Sequence, residues 1–202
     1  MFESLFSILL ILTPCIGYCE APAGPTETIK ITIQHLKEID SNYNGEERYQ
    51  KAWVVLNEVF DKERLSRFSL GSIWNKATKK EQEKFVELFS ELIFYTYIKR
   101  LKEINKSEIK YKPDKESEKK ALVRTEISYN NQLYSLNYRM YKKTYKWQVY
   151  DVIIENVSLS SNYRSEFAHL VRKHGFPKFL ELLEKKVNSL CRKSSLASCG
   201  RI

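Results

Sequence analysis

At 202 residues the chain can build one domain with a real core but hardly two of ordinary size. Apolar content of 43% with 13% aromatics excludes a disordered chain, and the formal net charge of +9 leaves anionic surfaces and nucleic acid as candidate partners. Thirteen Tyr and ten Phe are many for this length and suit either a sheet-rich core or a roomy apolar interior.

Leu5 to Leu12 is an almost unbroken apolar run ended by Pro14. It is too short to cross a bilayer, so residues 1–19 read as an export signal. The segment before it carries Glu3 and no Lys or Arg. Cys15 and Cys19 follow Pro14 and Tyr18 rather than the small residue that lipoprotein processing favours, which places ordinary cleavage near residues 19–21. The signal would leave Cys191 and Cys199 as the remaining cysteines, in a polar tail of residues 191–202. They are either joined in an oxidising compartment or free thiols without a role. Residues 20–27 read as a flexible leader, and residues 28–190 as the folded domain.

From Thr28 the pattern is helical, with Ile29, Ile33 and Leu36 on one face. A second helix over residues 46–60 aligns Tyr49, Trp53, Leu56 and Phe60. Asp61 can cap a short third helix that turns Leu65 and Phe68 inward. Thr78 followed by Glu81 is a capping box that opens a long helix reaching toward Ile104. Between Leu92 and Ile98 large apolar and aromatic residues cover nearly its whole circumference, so it is buried on several sides or lines a cavity. The period then changes to alternation. Residues 107–112 are expected to form a strand ended by Pro113, and residues 122–129, 133–141 and 146–154 an antiparallel meander. Helices return over residues 162–173 and 176–190, with Gly175 between them. The resulting fold class is α+β, with helices packed on one side of a curved antiparallel sheet that encloses an apolar pocket.

Signs of catalysis are sparse. His35, His169 and His174 lie apart on predicted helices, away from cysteines or suitably spaced carboxylates, and fit surface or helix-packing roles. No cysteine lies between residues 20 and 190, and the six glycines are too scattered for a phosphate-cradling loop. Asp151, within the apolar stretch 147–154, is either a desolvated general base or a structurally satisfied carboxylate, and the second is the commoner case. Arg139, Lys142, Lys143 and Lys146 cluster at one hairpin. Export argues against nucleic acid there and favours anionic lipid headgroups or an acidic partner.

The run from Leu65 to Thr78 with Glu81, Gln82 and the block 85–89 resembles the toluene-tolerance (MlaC) family. So does the stretch 147–159 followed by Asn162-Tyr163-Arg164-Ser165-Glu166-Phe167. The likeness extends over residues 28–190, and the second block is the more specific. It departs from the common pattern at Asn156, where glycine is frequent, in the segment before the apolar run and in the two-cysteine tail. The resemblance implies a monomeric, periplasmic phospholipid carrier without catalytic activity or cofactor, in transient contact with membranes. It would shuttle lipid between an outer-membrane lipoprotein complex and an inner-membrane ABC/MCE-type complex. A relative linked to hopanoid lipids leaves the lipid class open.

On that reading the expected tail contacts are Trp74, Phe85, Phe89, Leu92, Tyr95, Val123, Ile127, Leu136, Tyr138, Val149, Val152 and Phe167. Periodicity alone does not separate pocket lining from plain core at any of them. The competing expectations are a small enzyme on a similar cone-shaped fold, with Asp151 as base, and a protein-binding adaptor with a filled core and an exposed apolar patch.

Overall fold

The computed structural model describes residues 23–194; the expected signal and Cys199 lie outside them. Helices α1 (Pro25–Asn42), α2 (Gly45–Val59), α3 (Lys62–Leu70), α4 (Lys79–Tyr97) and α5 (Leu101–Asn105) precede the sheet. Strands β1 (Glu108–Glu116), β2 (Lys120–Tyr129), β3 (Gln132–Lys143), β4 (Lys146–Ile154) and β5 (Val157–Ser158) follow, then α6 (Leu159–His174) and α7 (Phe176–Lys193). The strands form one antiparallel meander in the order β1-β2-β3-β4-β5.

Local chemistry accounts for most boundaries. Helix α1 begins at Pro25, three residues before the helical pattern becomes readable, because proline at the first position supplies the helical φ and needs no donor. Thr26 Oγ1 donates to Asp114 at 2.8 Å and ties that end to the sheet edge. At α4 the Thr78–Glu81 capping box is present in both directions. The helix is shorter than expected. Thr96 Oγ1 bonds back to the Leu92 carbonyl at 2.6 Å, and the chain tightens into a 3₁₀ turn over Ile98–Arg100 before α5. Asn130 and Asn131 adopt positive φ (49° and 60°), which suits the two-residue turn joining β2 and β3.

Pro113 does not end β1. It sits in an edge strand, where a missing N–H costs no ladder bond, and the register shifts between Lys112 and Lys115 to accommodate it. Its carbonyl accepts from Arg124 Nε at 3.1 Å and Nη2 at 2.6 Å. Phe68 does not turn inward either. It is 37% exposed and rests on Tyr150 with ring centroids 5.6 Å apart, while Leu65 and Leu70 take the buried positions of α3.

Gly71 follows α3 at φ 58°, ψ −129°, a conformation open only to glycine, and a Cβ there would lie 3.2 Å from Arg164 Cδ. Arg164 donates to the Phe68 carbonyl at 2.7 Å, so α6 seals the end of α3 at that point. The densest part of the core is aromatic. Phe85 and Phe89 of α4 meet Phe167 of α6 at 5.6 and 5.3 Å, and Phe167 meets Phe179 of α7 at 5.1 Å.

Candidate functional site

Residues directly opposite in an antiparallel ladder share a face, so the register defines the side of the sheet turned toward the helices. Ala121, Met140 and Val149 stand in one row; Val123, Tyr138 and Val152 form the next. Tyr111, Thr125, Leu136 and Ile154 follow, then Ile109, Ile127 and Tyr134. Burial falls along these rows. Val123, Met140 and Val149 are fully buried; Ile109, Ile127, Leu136, Tyr138 and Ile154 are half-buried; Tyr134 is exposed.

The helices cover the flanks of this surface. Helix α1 packs on β1 and β2, whereas α2, α3 and α6 approach β4. Among the described residues no helix approaches the central strand β3 as closely. The inward face is an apolar floor whose cover thins toward the β2–β3 turn, where Tyr134 is exposed.

Phenols accompany this interior. Burial pushes the hydroxyls of Tyr95 and Tyr163 up to about 12, and it also moves those of Tyr97, Tyr111 and Tyr138 upward. The Thr125 hydroxyl offsets part of the shift at Tyr138. An unfolded chain ionises tyrosine near 10, whereas the native state keeps these phenols neutral above that pH. The stabilisation is therefore complete below pH 10 and is lost as pH rises from 10 toward 12. Thermal melts at pH 8 and pH 11 are expected to show a clear fall in Tm; an unchanged Tm would contradict these buried hydroxyls.

Among the expected tail contacts, Val123, Ile127, Leu136, Tyr138, Val149 and Val152 stand together on the inward face. Phe85, Phe89 and Phe167 lie in the aromatic cluster between α4, α6 and α7, packed against one another. Leu92 and Tyr95 are buried on α4, and Trp74 lines a separate cleft. Ile109, Tyr111 and Ile154 belong to the same face, beyond the expected contacts. In β1 the charged neighbours mask the alternation, and only the ladder register reveals it.

Asp151 is 1% exposed, and its oxygens are occupied. Arg139 Nη1 donates to Oδ2 at 3.0 Å, Ser158 Oγ to Oδ2 at 2.7 Å, and the Ser160 N–H to Oδ1 at 3.0 Å. A carboxylate receiving the Ser160 N–H in the first turn of α6 complements the helix dipole and anchors that helix to β4. This is the satisfied structural role. Asp151→Ala should cost about 3 kcal/mol of unfolding free energy, because three donors lose their acceptor together. Urea titration of the variant checks this, and a cost below about 1 kcal/mol would contradict it.

The three histidines are exposed. Among the described residues no group of three or more His, Cys, Asp or Glu could hold a metal ion, and no helix is long and apolar enough to cross a membrane. Cys191 is buried and disulfide-bonded; its expected pairing with Cys199 lies outside the described residues. Two surface clefts, of about 430 and 520 Å³, lie away from the inward face, one along α4 and one between the 3₁₀ segment Gly71–Lys76 and α6.

Helices on one face of an open five-stranded meander, over a half-covered apolar floor, define the class of the protein. It is an α+β domain whose architecture recurs in a phospholipid-binding protein from Ralstonia solanacearum, solved in complex with a phospholipid. The TM-score is 0.73 at 22% identity, covering 84% of this chain and 99% of that one. The toluene tolerance protein ttg2D of Pseudomonas putida is 26% identical over 124 residues, or 60% of this chain. The chain spans 58% of that relative's length. The MlaC protein family model matches residues 26–185, and the chain belongs to the MlaC family.

Proposed function

We propose that the protein is a periplasmic carrier that holds the acyl chains of a phospholipid against the inward face of its sheet and catalyses no reaction. The observation that carries this reading is the apolar floor from Ile109 to Ile154, half-buried under the flanking helices and least covered at the β2–β3 end. Family membership supports it, as does the phospholipid held by the Ralstonia relative. Ile127, Leu136 and Tyr138 are the foremost tail contacts, joined by Ile109 and Ile154, with Val123, Val149 and Val152 as the deep end. Phe85, Phe89, Leu92, Tyr95 and Phe167 belong to the core, and Trp74 to the separate cleft.

Two acyl chains of about 15 methylenes each represent on the order of 25 kcal/mol of transfer free energy, at about 0.8 kcal/mol per CH₂. A carrier must hide nearly all of that surface, so unassisted release is slow and a membrane-bound partner must favour an open state. This is the chemistry of a shuttle between an outer-membrane lipoprotein complex and an inner-membrane ABC/MCE-type complex, performed by a monomer. A disulfide at Cys191 belongs to the oxidising compartment that such a shuttle crosses.

Native mass spectrometry of the protein exported in a bacterium, with solvent extraction of whatever co-purifies, tests the reading. One bound diacyl lipid per chain is the expected result, and its fragmentation names the headgroup. A lipid-free mass under gentle desolvation would overturn the proposal.

A further inference from the structure

A second site lies on the opposite side of α4 from the aromatic cluster. The 430 Å³ cleft there is walled by Trp53 of α2, by Trp74 of the 3₁₀ segment, and by one stripe of α4 that carries Glu83, Glu87 and Glu91 at successive turns. Glu91 stands out. It is 6% exposed, borders the cleft, and receives no hydrogen bond and no ion pair from any described residue. Buried carboxylates in folded proteins are normally paired, and Glu91 keeps only the contact with water that the cleft gives it. Burial raises its affinity for a proton, and the negative charges of Glu87 and Glu184 raise it further. A proton or a bound cation would each relieve that charge, and the cleft beside Glu91 gives a cation access to it.

The walls are suited to one. Trp is the strongest aromatic partner for a positive charge, and Lys62 Nζ already lies 5.7 Å from the centre of the Trp53 ring. Gln82 holds the second wall in place by donating to the Trp74 carbonyl at 2.8 Å. Of the other basic residue at the rim, Lys79, the charge is engaged with Glu83 at 3.9 Å.

We propose that this cleft binds an alkylammonium group, with Trp53 and Trp74 as its aromatic walls and the Glu91 carboxylate as its counter-ion. Lys62 is the internal competitor that occupies the Trp53 face when the ligand is absent. The site is separate from the proposed acyl-chain floor and does not depend on it. The same ammonium chemistry is offered by a small free amine and by the headgroup of a zwitterionic phospholipid.

The test uses the full exported chain at pH 8, with tryptophan fluorescence and calorimetry as readouts. The probes are choline chloride and ethanolamine as free cations, and dihexanoyl phosphatidylcholine against dihexanoyl phosphatidylglycerol as headgroup carriers. Saturable binding of choline or ethanolamine is expected if the ligand is a free amine. A preference for the phosphatidylcholine over the phosphatidylglycerol, without free-amine binding, assigns the site to a lipid headgroup. In either case Glu91→Gln should weaken the ammonium-dependent response about ten-fold or more, and Lys62→Ala should strengthen it about three-fold. Glu91→Gln conserves shape, and an unchanged circular dichroism spectrum establishes that it folds. The proposal fails if wild type and Lys62→Ala show no ammonium-dependent binding, or if Glu91→Gln binds as wild type does.

Discussion

Leu136→Arg is expected to reduce bound phospholipid from full occupancy to none while the protein stays folded. Leu136 lies on β3, in one row with Thr125 and Ile154, where the inward face is half-buried. An arginine there can keep its head near the less covered end, so the fold survives, but acyl chains would have to desolvate a guanidinium in order to enter. Ile127→Trp, one row nearer that end, should achieve the same by volume and without charge. Native mass spectra of both variants, each with a circular dichroism melt, supply the check. Full lipid occupancy in both folded variants would remove the acyl-chain site from this face.

Phe85→Ala should behave in the opposite way. Its ring is fully buried and touches Phe89, Phe167 and Phe179, so truncation leaves a void that three rigid neighbours cannot fill. The expected cost is about 4 kcal/mol, which lowers Tm by about 10 °C. The molecules that remain folded should still carry lipid, because the ring faces other rings between α4, α6 and α7 rather than the sheet floor. Loss of lipid from stably folded Phe85→Ala would move this ring into the binding surface and reopen the assignment of Phe89 and Phe167.

The pair of variants also bears on the competing expectations. An adaptor with a filled interior predicts that neither substitution changes a bound lipid, since none is present. An enzyme working through Asp151 predicts a free or poised carboxylate, whereas three donors within 3.0 Å hold this one between β4 and the start of α6.

Local chemistry made much of the fold legible in the sequence. The Thr78–Glu81 box, the Asn130-Asn131 turn and Gly175 each act within a few residues, so the rules that govern them need no tertiary information. The family blocks at 65–89 and 147–167 were legible for a related reason. Gly71 carries a backbone conformation and Asp151 a hydrogen-bond set that few other residues can supply.

The chain alone left core and pocket undivided, because burial of a large apolar residue is demanded equally by both. Phe85 and Leu136 look alike in one dimension; the first meets three rings, and the second stands half-buried on the sheet. Separating them required the ladder register and the positions of α1 and α6, which bring together residues far apart in sequence. The same holds for Glu91, one acid among many on an amphipathic helix until α2 and the segment after α3 place tryptophans beside it. Sequence determined the elements, their order and the family. Only tertiary structure decided which apolar surface stays incompletely covered, since coverage is a property of neighbours and not of any residue.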